Sequence, residues 1–444
     1  MVKPIIITQK IPNFKKKITN IAPDKSLSIR FVILASMANG VSRATNILTS
    51  EDVLSTIGCL RKLGVKIELN KNKCKIVGKG LNSYKYKNNL VLNAGNSGTA
   101  ARLICSTLVN SDKKITITGD KSLKTRDMER IINPLRKFGA TFESNKGRLP
   151  LTIMGSKSLR PISYEELRGS AQCKSAVIIA AAATTGITKL KCKPSRDHTE
   201  LLFKYLKLPI SIKKTKKFDY IKIKGRKNFK AFNYKVSGDI SSCSFPMVLT
   251  ILSKKSELTI KNINVNPTRT GVISILNMMG ASIKLKNKKM YKGEQVADIY
   301  VKSVKNLKSI QLSSEFNNSS AIDEFLLIFI CCAFAKGVST FKGLSELNKK
   351  ESKRLDWGFK ILKMIGIKTQ KISNHGIKIW GQPNLELNKN YIVKNFLKDH
   401  RIAMSTIVLA LAKGGSWKIF DPDSIKTSFP TFLKMTKELG AKIK

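Results

Sequence analysis

Leu60-Arg61-Lys62-Leu63-Gly64-Val65-Lys66-Ile67 ends a helical pattern with a glycine and continues as a strand-like alternation. Glycine is the usual residue where a helix stops in a left-handed turn. A degenerate copy that lacks the glycine runs from Tyr205 to Ile212. Intact copies recur along the chain with their glycines at Gly139, Gly280, Gly366 and Gly440. Six copies indicate an internal repeat, and the repeat decides the architecture.

A second helical pattern precedes each of these endings, and its residues are apolar nearly all round. In the first copy Leu27, Phe31 and Leu34 recur at helical spacing, Ser26 is the predicted N-cap, and Asn39-Gly40 is the predicted stop before a strand. The matching helices are predicted to begin near Ser97, Ser170, Ser242, Asp323 and Asp399. A helix that is apolar on every side belongs in a core. Each repeat therefore reads strand, buried helix, strand, amphipathic helix, glycine turn, strand.

The length of 444 residues is more than one hydrophobic core usually serves, so we predict two domains of three repeats each. A lysine-rich, weakly patterned stretch at 213–230 precedes the strand-like segment Tyr234–Asp239, where we place a crossover. The predicted domains are residues 22–236 and, as the second, residues 1–21 with 237–444. The longest apolar run, Phe325 to Ala335, is shorter than the ~20 residues that a membrane-spanning helix needs, so no membrane is expected.

Composition restricts the classes of function. The net charge of +53 is compatible with nucleic-acid binding, but the lysines are spread over every loop and no helix-turn-helix or zinc-finger motif is present. We therefore expect solvated lysine-rich faces and no specific nucleic acid, and keep a basic nucleic-acid-binding protein as an alternative. Eight cysteines without a CxxC pair and three histidines predict no metal site. The first residues lack a signal-peptide apolar segment, so a reduced, cytoplasmic compartment is expected.

The starts of the buried helices carry residues suited to binding anions. If these helices run the same way, their N-termini collect on one side of each domain, and two facing domains would line a cleft with positive potential. Lys25, Ser26 and Arg30 lie at the first start, Gly98 at the second, and Ser170-Ala171-Gln172 at the third.

Two further segments place carboxylates beside cations or a helix start. Asp323 and Glu324 precede an apolar helix, where they serve either as caps or as a general base. Glu351 lies among the four cations of Lys349–Arg354, an arrangement that suits proton transfer beside anionic groups or an ordinary charged helix face.

The chain resembles the 3-phosphoshikimate 1-carboxyvinyltransferase (EPSP synthase) family over nearly its whole length, and it looks closest to the bacterial subgroup called class II. The resemblance rests on nine segments in family order: Asp24–Ser28, Asn96–Arg102, Ser170–Ala176, Arg196–Glu200, Asn266–Gly271, Ile322–Glu324, Lys350–Ser352, Asp399–Met404 and Thr427–Pro430. It implies a two-domain inside-out α/β barrel, with three βαβαββ repeats and buried parallel helices in each domain. It also implies a cytoplasmic enzyme of the shikimate pathway, a monomer without metal or organic cofactor.

The family transfers the enolpyruvyl group of phosphoenolpyruvate to the 5-hydroxyl of shikimate 3-phosphate by addition and elimination, on the way to chorismate and the aromatic amino acids. The resemblance implies that shikimate 3-phosphate is bound by Lys25, Ser26, Arg30, Ser170, Ala171, Gln172, Arg196, Asp323 and Lys350. It implies that phosphoenolpyruvate is bound by Lys25, Gly98, Arg126, Gln172, Arg354 and Arg401. Asp323 would be the base for the 5-hydroxyl, Glu351 the proton donor to the methylene, and Lys25 the partner of the leaving phosphate, while His400 orients.

Some residues depart from the family pattern or separate it from its neighbours. Asn348-Lys349 and Lys353 replace the usual Arg-Val and acid around Lys350-Glu351-Ser352, which puts the role of Arg354 in question. In the family that the chain resembles, glyphosate occupies the phosphoenolpyruvate site and a methyl group at the matching position crowds it out, so the resemblance implies that Gly98 permits inhibition by glyphosate. The related enolpyruvyl transferase that acts on UDP-N-acetylglucosamine is an alternative, but its reactive cysteine has no counterpart in Lys124–Asp127.

Overall fold

The structure is a computed structural model that describes residues 3–312, 316–372 and 375–444. The helices are α1 (Lys25–Met37), α2 (Glu51–Lys62), α3 (Gly98–Thr107), α4 (Lys121–Lys124), α5 (Glu129–Lys137), α6 (Ala171–Ala182), α7 (His198–Tyr205), α8 (Ile240–Leu252), α9 (Gly271–Met278), α10 (Phe325–Ala333), α11 (Arg354–Met364), α12 (His400–Lys413) and α13 (Phe432–Glu438). Short 3₁₀ helices lie at Asn318–Ala321, Ser345–Lys349 and Pro422–Thr427.

The strands alternate with these helices along the chain. They are β1 (Ile5–Ile7), β2 (Lys15–Ile18), β3 (Asn39–Thr45), β4 (Lys66–Asn70), β5 (Lys73–Lys79), β6 (Leu90–Asn93), β7 (Ile115–Thr118), β8 (Thr141–Asn145), β9 (Arg148–Met154), β10 (Ser163–Glu166), β11 (Ile187–Cys192), β12 (Ile210–Lys214), β13 (Asp219–Lys224), β14 (Asn233–Lys235), β15 (Glu257–Asn264), β16 (Ile283–Tyr291), β17 (Glu294–Lys302), β18 (Leu307–Lys308), β19 (Ala335–Phe341), β20 (Thr369–Ile372), β21 (Gly376–Gly381), β22 (Asn390–Val393) and β23 (Ser416–Ile419).

The chain divides into two compact units. Unit 1 comprises Met1–Ala22, Ser237–Met290 and Gln295–Lys444, and unit 2 comprises Pro23–Val236 with Tyr291–Glu294. The domain bounds expected from the sequence differ from these units at Ala22 and at Tyr291–Glu294, and they stay a prediction for the folding domains.

Five of the six sheets have four strands in the same order. In unit 2 the sheet β6-β7-β9-β8 has β6 parallel to β7, and β9 antiparallel to both β7 and β8. The sheets β10-β11-β13-β12 and β14-β3-β5-β4 repeat this order. In unit 1 the sheets β16-β17-β15-β2 and β18-β19-β21-β20 have the same order, read from either end. The predicted βαβαββ repeat is confirmed.

Three sheets take a strand from a distant part of the chain, and in one of them β2 pairs with β15 in parallel. The first sheet of unit 2 is completed by β14, which pairs with β3 in parallel although the two strands are far apart in sequence. The third sheet of unit 1, β1-β23-β22, is completed by β1, which runs antiparallel to β23. The ends of each unit's chain are thereby hydrogen-bonded into its sheets.

The predicted core helices are buried. Every residue from Leu27 to Met37 in α1 and from Ile240 to Leu252 in α8 is buried, as is all of α10. Within unit 2, α3 packs against α6, and within unit 1, α8 packs against α12. Each unit therefore has helices in its interior, as an inside-out α/β fold requires. No helix among the described residues is long and apolar enough to span a membrane.

The glycine turns after the second helices are also confirmed. Gly64, Gly139, Gly280, Gly366 and Gly440 all have left-handed φ values, between 81° and 116°. In the degenerate copy Lys207 takes this place, with φ 54°. The hydrogen bonds match Lys207 to Gly64, because Leu208 N donates to Phe203 O just as Val65 N donates to Leu60 O, so the turn lies two residues before the position expected from the aligned phrase.

Three helix starts differ by two residues from the residues named in the sequence analysis. Asp24, and not Ser26, caps α1, because the Asp24 carboxylate accepts from Leu27 N. Helix α8 begins at Ile240 with Asp239 as its cap, before the predicted Ser242. Helix α10 begins at Phe325, after the predicted Asp323. Ser97, Ser170 and Asp399 cap their helices as predicted.

Candidate active site

The start of α1 carries a lysine and an arginine that are both held by hydrogen bonds within unit 2. Lys25 Nζ lies 2.8 Å from Asp52 Oδ2, and most of the lysine side chain is covered. Arg30 is buried, and it donates from Nε to Thr199 Oγ1 at 2.8 Å and from Nη2 to Ser175 Oγ at 2.9 Å. Arg30 Nη1 also donates to the carbonyl of Ser26. These bonds connect the start of α1 to α6 and α7.

The starts of α3 and α6 are joined through a glutamine. Arg102 Nη1 donates to Gln172 Oε1 at 2.5 Å, and Gln172 Nε2 donates to Thr99 Oγ1 at 2.9 Å. Arg126 Nη2 donates to Asn96 Oδ1 at 2.7 Å. A methyl group on Gly98 would lie 2.9 Å from Arg102 Nη1 and 3.2 Å from Arg126 Nη1. Two guanidinium groups therefore flank Gly98, one of which, that of Arg102, the sequence reading did not include as a ligand.

Ser170 and Arg196 lie at the ends of neighbouring segments of unit 2. The Ser170 hydroxyl accepts from Cys173 N, so it caps α6, and Ser170 N donates to Glu166 Oε2 at 2.8 Å. Ala171 and Gln172 follow as the first residues of α6 and are half-buried. Arg196, also half-buried, lies between β11 and α7. The residues predicted in this unit thus belong to the starts of α1, α3, α6 and α7, with Arg126 directly after α4.

In unit 1, Arg354 joins the carboxylates predicted to transfer protons. Its Nη1 lies 3.0 Å from Asp323 Oδ1, its Nη2 2.5 Å from Glu351 Oε2, and its Nε 2.9 Å from Asp399 Oδ2. Burial disfavours the charged guanidinium, but these three carboxylates outweigh that cost and raise the pKa of Arg354 above its usual range. Arg354 therefore stays charged, and Asp323 and Glu351 lie on one guanidinium.

The departures from the family pattern at Lys353 do not deprive Arg354 of partners. Lys353 is exposed, while Arg354 is buried and already paired with three carboxylates. Asn348 has a local role, since its Oδ1 accepts from Leu355 N at the start of α11. Lys350 Nζ lies 3.6 Å from Asp323 Oδ1.

A second buried polar chain in unit 1 leads to Arg401. Arg269 Nη2 donates to Asp239 Oδ1 and to Ser241 Oγ, each at 2.8 Å. The Ser241 hydroxyl donates to Glu324, and Arg401 Nη1 lies 3.7 Å from Glu324 Oε1. Sequence reasoning missed Arg269 and Glu324 as members of this chain. The signal was present, because both lie in segments that carry the family resemblance.

His400, which the resemblance expects to orient, is held by a threonine. It is buried, and its Nδ1 lies 3.0 Å from Thr427 Oγ1. Asp399, its neighbour, caps α12 by accepting from Arg401 N and also accepts from Ser352 Oγ. Within the described ranges, no group of three or more His, Cys, Asp or Glu side chains is placed to hold a metal ion.

Comparison with known proteins decides the family to which the chain belongs. The family model described as EPSP synthase (3-phosphoshikimate 1-carboxyvinyltransferase) matches residues 8–435. The chain belongs to the EPSP synthase family. A 3-phosphoshikimate 1-carboxyvinyltransferase from Ruthia magnifica subsp. Calyptogena magnifica is 41% identical over 421 residues, which cover 95% of this chain and 94% of the relative. One from Thermoanaerobacter sp. (strain X514) is 38% identical, covering 96% and 98%.

Solved structures of EPSP synthases have a fold similar to that of this chain. The EPSP synthase from Acinetobacter baumannii superposes with a TM-score of 0.84 at 33% identity, covering 100% of this chain and 99% of that one. The enolpyruvyl transferase NikO from Streptomyces tendae shares the fold at 14% identity, with a TM-score of 0.72 and coverage of 99% and 98%. The predicted two-part inside-out α/β architecture is therefore that of the EPSP synthase family.

The cysteines of this EPSP synthase family member do not resemble nucleophiles. All eight are buried. Burial raises the pKa of Cys59 and Cys74 to about 11 and that of Cys105, Cys173 and Cys192 to about 12. Since only the thiolate is reactive, these side chains are inert at neutral pH. This argues against the alternative enzyme, which needs a reactive cysteine.

Proposed function

We propose that this chain transfers the enolpyruvyl group of phosphoenolpyruvate to the 5-hydroxyl of shikimate 3-phosphate and releases phosphate. The observation that carries the proposal is the family match over residues 8–435. Each substrate carries a phosphate and a carboxylate, and the starts of buried helices with arginine and lysine beside them suit such anions.

The proposed binding residues are those that the family resemblance implies. For shikimate 3-phosphate they are Lys25, Ser26, Arg30, Ser170, Ala171, Gln172, Arg196, Asp323 and Lys350. For phosphoenolpyruvate they are Lys25, Gly98, Arg126, Gln172, Arg354 and Arg401, to which the geometry adds Arg102. The contact between Arg102 and Gln172, with Arg102 and Arg126 flanking Gly98, supports this grouping.

The proposed chemistry uses two carboxylates. Asp323 accepts the proton of the 5-hydroxyl as its oxygen attacks C2 of phosphoenolpyruvate, while Glu351 protonates C3, which leaves a tetrahedral ketal phosphate. In the second step C3 returns a proton to Glu351, the C2–O bond to phosphate breaks, and the enol ether forms. Lys25 stabilises the departing phosphate, which takes up the proton that Asp323 accepted and leaves as hydrogen phosphate, so both carboxyl groups return to their starting state. Both carboxylates contact the guanidinium of Arg354, so they belong to one cluster of charged side chains.

The decisive experiment measures phosphate release from phosphoenolpyruvate that depends on shikimate 3-phosphate. Because each carboxylate transfers a proton, Asp323→Asn and Glu351→Gln should each lower kcat by about 10²- to 10⁴-fold. Circular dichroism should show that both variants remain folded.

The matched control is Asp356→Asn, since Asp356 is an exposed carboxylate in the same helix as Arg354. It should keep kcat within about twofold, as surface changes usually do. Wild-type protein without release that depends on shikimate 3-phosphate would refute the function. Full activity in Asp323→Asn would refute only the assigned base.

We propose a monomer in the cytoplasm. The net charge of +53 makes copies of the chain repel one another at low ionic strength. Light scattering coupled to size exclusion at low salt should therefore give a mass of 49.4 kDa. A mass of twice that value at micromolar concentration would contradict the monomer.

A further inference from the structure

The first turn of α7 and the residue before it, Asp197–Glu200, form a buried segment in which each side chain has a polar partner on a different element. We call this segment the α7 turn. Its four residues are at most 4% exposed. The contacts are Asp197 Oδ2 to Lys214 Nζ at 2.7 Å, His198 Nδ1 to Glu294 Oε1 at 2.7 Å, Thr199 Oγ1 to Arg30 Nε at 2.8 Å, and Glu200 Oε1 to Lys174 Nζ at 2.6 Å.

The partners hold the segment from several directions. Lys214 lies on β12, Glu294 on β17, Arg30 on α1 and Lys174 on α6. Lys174 Nζ also donates to the carbonyl of Ser195 at 3.1 Å. Arg196 therefore has a fixed residue on each side, and its backbone position is determined by these contacts.

Charged side chains are an unfavourable choice for a protein core, because their burial costs free energy. Buried charges lose their hydration, and apolar residues of similar size often give the same stability or more. Burial disfavours the Lys174 cation, but Glu200 outweighs it and raises the pKa of Lys174, whereas burial raises the pKa of Glu200. What ionic contacts add over apolar ones is a defined position, and the residue positioned here is Arg196.

Glu294 is the member of this set most distant in sequence, and it lies in the tip Tyr291–Glu294. The tip is itself well fixed: Tyr291 Oη accepts from Lys235 N at 2.9 Å, and Gly293 has a φ of +87°. Lys292 Nζ donates to Asn233 O and lies 5.3–5.9 Å from the ring centroids of Tyr205, Tyr234 and Tyr291. A carboxylate on such a tip can hold His198 in one place.

We propose that the α7 turn positions Arg196 to bind the phosphate of shikimate 3-phosphate, and that Glu294 is a positioning residue for this reaction through His198. This inference rests on the proposed function. In this proposal Glu294 contacts neither substrate and acts through His198 on Arg196. Its removal should therefore weaken the binding of shikimate 3-phosphate only.

The test compares KM for the two substrates in Glu294→Ala and Glu294→Gln. Because small displacements of a binding group are costly, Glu294→Ala should raise KM for shikimate 3-phosphate about tenfold. KM for phosphoenolpyruvate, measured at saturating shikimate 3-phosphate, and kcat should each change less than about twofold. A substitution usually has little effect on distant residues with which it shares no contact. Glutamine can still accept from His198, so Glu294→Gln should restore most of the loss.

Two further variants separate positioning from lost stability. Glu294→Asp keeps the charge and withdraws it by one methylene, so it should raise the same KM by a smaller factor even if Glu294→Ala fails to fold. Ile153→Ala, in the fully buried part of β9, should lower Tm without changing either KM.

The inference is overturned if Glu294→Ala and Glu294→Asp leave KM for shikimate 3-phosphate unchanged, or if they raise the KM values of both substrates together. Arg196→Ala, measured alongside, should raise KM for shikimate 3-phosphate at least as much. An Arg196→Ala enzyme with normal KM would also overturn it, while leaving the overall reaction intact. Wild-type protein without any activity would instead remove the proposed function.

Discussion

Gly98 has room for a hydrogen atom but not for a methyl group unless neighbouring guanidinium groups move. The methyl carbon would lie 2.9 Å from Arg102 Nη1, the atom that holds Gln172, and 3.2 Å from Arg126 Nη1. Both contacts are with the far ends of flexible side chains, so Gly98→Ala should fold normally. Its effect should fall on the proposed phosphoenolpyruvate residues.

We predict that Gly98→Ala raises KM for phosphoenolpyruvate about tenfold, because the displaced guanidinium groups lose their alignment. Glyphosate should inhibit the wild type, and its inhibition constant should rise at least as much in the variant. Gly58→Ala is the control, since a methyl group there meets nothing within 4 Å. Unchanged kinetics in Gly98→Ala would remove Gly98 from the proposed set.

The sequence predicted residues better where the information is local. Ser97, Ser170 and Asp399 were predicted as helix starts because a small polar residue before an apolar run is a local signal. Asp24 and Ser26 are both such residues, and only the backbone geometry decides that Asp24 is the cap. The contacts of Arg354 with Asp323 and Asp399 join segments 31 and 45 residues apart, so no local pattern could specify them.

At the scale of elements, the repeat could be read from sequence because each copy reuses the same helix ending. The degenerate copy shows the limit of that reading. Lys207 adopts the left-handed conformation that glycine adopts elsewhere, two residues before the position expected from the aligned phrase. A hydrogen bond from Leu208 N to Phe203 O closes the helix all the same, so the geometry survives without its sequence signal.

The bulge in β15 depends on one carboxylate of β17. The register of β15 against β17 shifts between Ile260 and Ile263, and Asn262 there has a φ of 57°. Asp298 Oδ1 accepts from Asn262 N at 3.0 Å, and its Oδ2 accepts from Lys261 Nζ at 2.5 Å and from Asn287 Nδ2 at 2.7 Å. Asp298 thus holds the bulge against two strands.

We predict that Asp298→Asn lowers the free energy of unfolding by about 1–2 kcal/mol at pH 7, the usual value for a lost charged hydrogen bond. Burial alone would raise the pKa of Asp298, but the bonds from Lys261, Asn287 and Asn262 lower it overall. Its contribution is therefore present above the unfolded-state pKa of about 4 and is lost as pH falls through the lower folded-state pKa.

Urea unfolding of both proteins at pH 7 and at about pH 3 tests this prediction, because the difference between them should shrink at the lower pH. Asp423→Asn removes an exposed pair with Lys426 and should change stability by less than about 0.5 kcal/mol. A difference between wild type and Asp298→Asn that grows on acidification would contradict the sign of the pKa shift.

For the molecule as a whole, strand composition was easier to predict than strand pairing. The segments Ile115–Thr118 and Ser416–Ile419 have a strand-like sequence, directly after the patterns of buried helices, and both form strands. The pairing of β1 with β23 joins nearly the whole length of the chain, and β14 completes a sheet that began with β3. These pairings bring together segments that are far apart in the sequence. The alternation of residues within a segment does not specify which strand it pairs with.

The net charge of +53 belongs to the whole molecule and makes a separate prediction. Lysines lie on exposed positions in both units, for example Lys73 and Lys288, without a recognition motif among them. Binding to duplex DNA should therefore be independent of sequence. Its affinity should fall by about 10³-fold or more between 50 and 200 mM salt, because the release of counterions from the DNA becomes less favourable as the salt concentration rises. Fluorescence anisotropy with two unrelated duplexes measures both properties. A preference of more than about a hundredfold for one duplex at 200 mM salt would favour a specific nucleic-acid function, because bare phosphate contacts carry no sequence information.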